Sequence, residues 1–392
     1  MSIKYYSEFL PNINTLSITL FVRDVPPDLS INTFSLAFFS DIDNSKKNII
    51  TFPFKIIPSS LRISETENTV ILKLKTEKEW FKVKDISINS TPIIYDSKVL
   101  KNISQLYCSK CNQHLNIFTK PSEGSDHQIK NFKRIVDLPS DHWFEMMDCW
   151  LCVPSDISRF EGQIGIGSLA AKNNEILIGR TFFILHPNNI IKNSFIIKNY
   201  EVKQTLKYIW KEINCKQCEQ NLGFALVNTS IDDEVVAIKL HKYKLNIDMH
   251  SSETNKVSRF DKINFVECFV IDLFEYANSH ASFKFMVKNE KEELYGLIWL
   301  INWNIYISTN NFKDENISSK AVKLLFIDCR KNENSPLIKQ WSDTNQCDIL
   351  TYDDSCCQEL MNYLNQSNKT ISEDQRIFNN FNVGFITYKI KS

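Results

Sequence analysis

Three Cys-x-x-Cys pairs are the residues of this sequence best suited to chemistry. In two of them, Cys108/Cys111 and Cys215/Cys218, a leucine follows four residues after the second cysteine. Two intervening residues allow a tight turn to direct both thiolates at one ion, and two such turns complete a tetrahedral zinc site with Zn–S bonds of about 2.3 Å. These four cysteines therefore predict a closed structural zinc site that staples the fold. The alternative is four free buried thiols.

The third pair, Cys149/Cys152, lies in an aromatic segment with Trp143 and Trp150 and lacks the trailing leucine. Three interpretations stay open: buried core cysteines, an exposed functional thiol, or a second metal site that needs two more ligands, for which His142 and His127 are the candidates. Large aromatic side chains are common anchors of protein interfaces. The four residues Trp143, Cys149, Trp150 and Cys152 are therefore predicted to form a partner-binding loop.

The elements that must position these residues are mostly strands. Alternating apolar and polar residues predict antiparallel strands at 15–22, 33–39, 49–56 and 69–75. Pro53 and Pro58 are expected at sheet edges or strand ends. Residues 202–213 suit a helix or, in their second half, a strand leading into Cys215.

The C-terminal part mixes helices with strands. Two capping signatures, Asn264 with Glu267 and Ser355 with Gln358, each predict a helix start. The predicted strands of this part are 282–287 and 294–300, which form a hairpin, followed by 321–327 and 381–388.

Composition limits the class of protein. The 46 basic and 46 acidic residues give zero formal net charge, which argues against a general nucleic-acid binder, and no direct nucleic-acid partner is predicted.

The N-terminus lacks a secretory pattern, and the longest apolar stretch, 294–307, is too short to cross a bilayer. Eleven cysteines in such a chain favour metal binding or reactive thiols over disulfides. We expect a nuclear and cytoplasmic protein with no membrane partner.

The two leucine-trailed pairs resemble the β-tent zinc domains of the Yippee and cereblon type, in which two Cys-x-x-Cys hairpins pin two sheets together. With this resemblance, the predicted fold class is β-rich α+β: an antiparallel β body, a zinc-stapled β-tent-like centre and a mixed α/β C-terminal part. The predicted regions are an N-terminal antiparallel β region (1–105), a zinc-binding Cys-x-x-Cys region (106–230) and a C-terminal α/β region (231–392).

A wider set of motifs resembles the HECT-like ubiquitin-conjugating-enzyme-binding proteins over roughly residues 100 to 390. The central motifs are Leu138-Pro-Ser-Asp-His-Trp143, Cys149-Trp-Leu-Cys152, Ile178-Gly-Arg-Thr-Phe-Phe183 and Cys215-x-x-Cys218-x-x-x-Leu-Gly. The C-terminal stretches that also fit are Phe283-Lys-Phe, Gly296-Leu-Ile-Trp-Leu, Ala321-Val-Lys-Leu-Leu-Phe, Gln340-Trp and Phe381-x-Val-Gly-Phe. The resemblance implies a ubiquitin ligase that accepts ubiquitin from a conjugating enzyme, with Cys152 at the family's cysteine position. For yeast-type members it implies a link to mRNA 3′-end cleavage and polyadenylation. Val153 stands where the family has histidine, and Arg180 where it has aspartate.

Two functions follow from this resemblance. In the favoured one, the chain is a zinc-stapled interaction protein whose Trp/Cys loop binds and stabilises a partner, the pre-mRNA 3′-end processing endonuclease, because a thiolate can ligate that enzyme's metal centre. In the alternative, Cys152 carries ubiquitin as a thioester received from a ubiquitin-conjugating enzyme. The C-terminal half is too short for a bilobal HECT domain, so the sequence leaves open whether the chain is an enzyme.

Overall fold

The computed structural model describes residues 4–26, 28–39, 47–52, 54–77, 95–116, 132–138, 171–198, 208–229, 231, 234–251, 256–309, 319–331, 336–344 and 347–388. The chain divides into two compact units. We call residues 1–91 with 276–390 the terminal unit, and residues 92–275 the central unit. The predicted three-region division along the chain stays a prediction.

The described strands are, in chain order, β1 (Tyr5–Leu10), β2 (Thr15–Leu20), β3 (Ser30–Ile31), β4 (Ser35–Phe39), β5 (Lys47–Thr51), β6 (Ile56–Glu65), β7 (Val70–Thr76), β8 (Ile103–Cys108), β9 (Arg134–Asp137), β10 (Glu175–Ile178), β11 (Phe182–Leu185), β12 (Phe195–Ile197), β13 (Tyr208–Cys215), β14 (Asn221–Asn228), β15 (Glu234–His241), β16 (Leu245–Ser251), β17 (Lys256–Arg259), β18 (Lys284–Asn289), β19 (Leu294–Thr309), β20 (Ser319–Asp328), β21 (Asp348–Tyr352), β22 (Ile377–Phe378) and β23 (Phe381–Thr387). The α-helices of the described residues are α1 (Phe265–His280), α2 (Pro336–Thr344) and α3 (Asp354–Thr370). None of these helices is long and apolar enough to cross a bilayer.

The terminal unit is built on a ten-stranded sheet that combines both ends of the chain. Its order is β22-β23-β20-β19-β1-β2-β7-β6, with β18 between β19 and β21. The N-terminal strand β1 pairs antiparallel with β19, so that Tyr6 lies opposite Thr309. Pro58 lies in the edge strand β6, where its missing N–H costs no sheet hydrogen bond.

The core of the terminal unit follows from the alternation along these strands. The apolar positions of β2 and β7 point to one face and pack with Phe9, Phe52 and Phe54. A second apolar cluster includes Leu297, Leu325 and Phe385. Burying these side chains supplies about 25 cal/mol per Å² of apolar area removed from water.

Helix α3 contributes to the same unit by packing against β23 and β19. Its N-cap is Asp353, whose carboxylate accepts a hydrogen bond from the Cys356 N–H at 2.9 Å. The sequence prediction placed this cap at Ser355, two residues too late. The hydroxyl of Ser355 instead donates to the Asp353 carboxylate.

The central unit contains a seven-stranded sheet of order β12-β13-β14-β15-β11-β10-β9 and a three-stranded sheet of order β17-β16-β8. Only the pairing of β9 with β10 is parallel among these strands. Residues 208–215 of the ambiguous segment form the strand β13. Helix α1 begins after Asn264, whose side chain accepts from the Val266 N–H. The fold confirms the predicted β-rich α+β class with a largely antiparallel body.

Candidate metal centre

The first cysteine turn follows directly from the end of β8. The Cys108 N–H donates to the Gln113 carbonyl, and the Asn112 N–H donates back to the Cys108 carbonyl, both at 2.9 Å. Asn112 has a φ of +60°, a left-handed conformation that asparagine adopts more readily than most residues. This reversal turns Cys111 back towards Cys108.

The second turn repeats this geometry between β13 and β14. The Cys215 N–H donates to the Gln220 carbonyl at 2.8 Å, and the Glu219 N–H donates to the Cys215 carbonyl at 2.9 Å. Glu219 has a φ of +59°. The two turns therefore share one backbone design, as their matched Cys-x-x-Cys-x-x-x-Leu spacing predicted.

The two trailing leucines explain the rest of the shared spacing. Leu115 and Leu222 are both almost fully buried, so each turn is anchored by an apolar side chain on its C-terminal side. The Leu115 N–H also donates to the Leu106 carbonyl at 2.9 Å. Burial of a leucine side chain contributes about 1.5–3 kcal/mol, which fixes each turn to its sheet.

The structure brings the four predicted sulfurs together. All four lie within 4.8 Å of one another. The closest contacts run between the turns, with Cys108 Sγ 3.6 Å from Cys218 Sγ and Cys111 Sγ 3.5 Å from Cys215 Sγ. A tetrahedral ion with bonds of about 2.3 Å separates its sulfurs by about 3.8 Å. The four side chains therefore fit around a single metal ion.

The environment of the thiols is uneven. Cys108 and Cys215 are fully buried, whereas Cys111 and Cys218 are partly exposed. Burial raises the pKa of the Cys108 thiol and, to a smaller extent, that of Cys111. Burial alone would also raise the pKa of Cys218, but hydrogen bonds from the Gln220 backbone and the other thiols outweigh it and lower that pKa. A bound cation would favour the deprotonated form of all four, with release of protons.

Polar side chains brace the first turn. The Asn112 side-chain oxygen accepts from Asn246 Nδ2 at 2.8 Å and from an Arg259 guanidinium nitrogen at 3.2 Å. Arg259 in turn pairs with the mostly buried Asp248 at 2.6 Å. These contacts orient the turn without reaching a sulfur, and the sequence motifs gave no sign of them.

The glycine after Leu222 is required by a close backbone approach. Gly223 has a φ of +143°, and a Cβ at this position would lie 2.0 Å from the Lys239 carbonyl oxygen of the neighbouring strand β15. Glycine is the residue that tolerates both conditions. The Leu-Gly of the sequence motif therefore locks β14 against β15 immediately after the second turn.

Four thiolates arranged in this way form a closed site. A metal ion with four sulfur ligands keeps no open position for water or substrate, so its role is structural. Here the ligands come from β8 of the three-stranded sheet and from the β13–β14 turn of the seven-stranded sheet. An ion at this point would connect the two sheets of the central unit.

The residues predicted to bind a partner, and the candidate histidine ligands, are not among those that the structure describes. Trp143, Cys149, Trp150 and Cys152, and with them the candidate ligands His127 and His142, lie outside the described residues. Arg180, at the position where the family has aspartate, pairs with Glu275 of the central unit at 2.6 Å. Among the described residues, the grouping of metal-binding side chains found is the four-cysteine cluster.

The fold and the site together define a strand-rich α+β protein with a four-cysteine cluster able to hold a metal ion. Residues 8–383 match the family described as HECT-like Ubiquitin-conjugating enzyme (E2)-binding, and the chain belongs to that family. This match confirms the resemblance predicted from the sequence motifs.

Individual relatives agree with the family match. The chain is 23% identical over 309 residues to a protein named as an E3 ubiquitin-protein ligase in Homo sapiens, covering 71% of this chain and 72% of that protein. It is 25% identical over 284 residues to a protein with the same name in Bos taurus, covering 64% and 67% of the two chains. An uncharacterized protein of Saccharomyces cerevisiae is 24% identical over 353 residues, covering 86% and 87%.

Proposed function

We propose that this chain is a zinc-stapled interaction protein that binds a ubiquitin-conjugating enzyme. The observation that carries the binding function is the family match over residues 8–383. The four-cysteine cluster supports the structural part of the proposal, because four thiolates in a tetrahedral arrangement select zinc or iron over the hard cations magnesium and calcium. In this proposal zinc holds the central unit in the shape that presents the docking surface.

The docking surface in this proposal is the loop from Trp143 to Cys152. Its support is the sequence, in which Trp143, Trp150 and two methionines stand beside the Cys149/Cys152 pair. Large aromatic anchors supply much of the binding energy of protein interfaces. A free thiolate in the same loop could also ligate a metal held by a partner.

A second candidate partner is the pre-mRNA 3′-end processing endonuclease, which the chain would bind and stabilise through the same loop. Its support is the resemblance to yeast-type members that the sequence motifs carry, together with the Trp/Cys composition of the loop. Because pre-mRNA is processed in the nucleus, this candidate partner implies that the protein is nuclear as well as cytoplasmic. Both locations are part of what we propose. Ubiquitin chemistry would not be needed for this role.

Ubiquitin transfer through a thioester is the alternative activity, with Cys152 as the acceptor. Three of the described cysteines outside the cluster, Cys329, Cys347 and Cys357, are poor candidates for that step. Burial raises the pKa of Cys329 and Cys357 to about 12, and it also raises the pKa of Cys347. The thiolate is the nucleophile, so these residues stay protonated near neutral pH.

Truncation of Trp150 tests the proposed docking loop. We expect Trp150→Ala to weaken binding to the ubiquitin-conjugating enzyme by about 30-fold, which corresponds to about 2 kcal/mol for an interface anchor. The measurement is a titration by biolayer interferometry with a panel of conjugating enzymes, alongside the melting temperature of each variant. The matched control is Trp210→Ala, since Trp210 is 40% exposed on β13 and lies outside the loop.

The outcomes separate three accounts. Unchanged binding by Trp150→Ala contradicts the docking loop, and absence of binding to every conjugating enzyme contradicts the proposed function. Binding of the purified endonuclease, with the same dependence on Trp150, would support the second candidate instead. A ubiquitin adduct that is lost with reductant and absent in Cys152→Ser, but kept in Cys149→Ser, would establish thioester transfer.

A further inference from the structure

We propose that Gln220 is a positioning residue that holds the two cysteine turns together, so that the metal site is assembled before the ion binds. The inference rests on the proposed zinc centre and names the residue that preorganises it. Gln220 lies two positions after Cys218 and is partly buried. It does not contact the metal position through its side chain.

The side chain of Gln220 crosses from the second turn to the first. Its Nε2 donates to Ser109 Oγ at 3.0 Å and to the Lys244 carbonyl at 3.4 Å. Ser109 lies between Cys108 and Cys111, and its backbone N–H donates to the same Lys244 carbonyl at 2.9 Å. The Lys244 carbonyl is therefore an acceptor shared by both turns, and this connection does not pass through the ion.

The backbone of Gln220 closes its own turn at the same time. Its carbonyl accepts from the Cys215 N–H at 2.8 Å. One residue thus fixes the shape of the second turn through its backbone and the distance to the first turn through its side chain. The first turn has the same backbone closure through Gln113, whose carbonyl accepts from the Cys108 N–H. The Gln113 side chain does not make the matching link, because its Nε2 donates to the neighbouring His114 carbonyl at 3.5 Å.

This placement affects metal affinity for a physical reason. Bringing four thiolates within 4.8 Å costs conformational entropy and, before the ion arrives, electrostatic repulsion. A hydrogen-bonded link between the turns lowers the part of this cost that binding must supply. Outer-shell partners of metal ligands typically contribute 10–100-fold to affinity, so we expect the loss of this link to weaken zinc binding about tenfold.

A double-mutant cycle on the full-length chain tests the inference. Gln220→Ala, Ser109→Ala and the double variant are compared by competition for zinc with a chromophoric chelator. Each single variant is expected to bind zinc about tenfold more weakly. Both substitutions remove the hydrogen bond between Gln220 and Ser109, and Gln220→Ala also removes the longer contact to the Lys244 carbonyl. The double variant is therefore expected to lose little more than Gln220→Ala alone. The matched control is Gln217→Ala, an exposed glutamine inside the second turn, which should bind zinc like the wild type.

The outcomes distinguish this inference from the zinc proposal. Wild-type affinity in Gln220→Ala, or additive losses in the cycle, overturns the link between the turns and leaves the zinc centre intact. A wild-type chain that binds no zinc overturns both. If Gln220→Ala does not fold, Ser109→Ala decides the question, since it removes only a hydroxyl: a tenfold loss supports the link and unchanged affinity overturns it.

Discussion

Cys218→Ser is expected to leave the chain without zinc and to unfold the central unit. Serine is a poor ligand for zinc, and structural zinc sites contribute about 10–16 kcal/mol of binding free energy. That energy is comparable to the whole free energy of unfolding of a typical domain, about 5–15 kcal/mol. We therefore expect insoluble protein, or a chain whose melting temperature equals that of the wild type treated with a strong chelator.

The matched control for this variant is Cys347→Ser. Cys347 is a partly exposed thiol of the terminal unit, whose sulfur lies 3.5 Å from the Trp341 carbonyl. A serine hydroxyl can donate to the same carbonyl, so the expected change in stability is small. A soluble Cys218→Ser chain with the melting temperature of the wild type would contradict the structural role of the cluster.

Gly223→Ala is expected to destabilise the central unit strongly, although it adds a single methyl group. Alanine is strained at a φ of +143°, and its Cβ would lie 2.0 Å from the Lys239 carbonyl oxygen. Backbone strain and overpacking each cost about 1–3 kcal/mol, so the free energy of unfolding should fall by about 2–6 kcal/mol. Chemical denaturation with urea, followed by tryptophan fluorescence, measures this loss.

Glu219→Gly, in the cysteine turn just before β14, is the control for a left-handed backbone conformation. Glu219 has a φ of +59°, which glycine adopts without a steric penalty. The stability of this variant should equal or slightly exceed that of the wild type. Equal stabilities for Gly223→Ala and the wild type would show that β14 and β15 do not approach as closely as described.

The features predicted correctly from the sequence are the local ones. Two Cys-x-x-Cys turns with trailing leucines were predicted to meet. The spacing within each turn directs two thiolates at one ion, and a tetrahedral zinc site needs four such ligands. The cap at Asn264 and the hairpin of β18 and β19 follow from equally short patterns. In each case the information lies within a few neighbouring residues.

The features that were missed are non-local. Nothing in the N-terminal pattern indicates that β1 pairs with β19, since Tyr6 and its partner Thr309 are far apart in the sequence. The contact of Gln220 with Ser109 and the support of Asn112 by Arg259 likewise depend on the assembled fold. The misplaced cap of α3 has a different cause: Asp353 and Ser355 are both good N-cap residues, and the capping-box spacing to Gln358 favoured the wrong one.

The structure describes the predicted metal ligands but not the predicted partner-binding residues. The predicted metal ligands meet in space, whereas the predicted partner loop from Trp143 to Cys152 lies outside the described residues and remains a prediction from composition and resemblance. Family membership supports a conjugating enzyme as the partner. The four-cysteine cluster, proposed to hold zinc, is therefore the part of the account whose geometry can be tested directly.

Zinc K-edge X-ray absorption on the purified full-length chain tests the central claim most directly. We expect one zinc ion per chain with four sulfur neighbours at about 2.3 Å, and loss of that signal in Cys218→Ser. A chain that holds no zinc, or one in which zinc has nitrogen or oxygen neighbours, would contradict the four-cysteine centre.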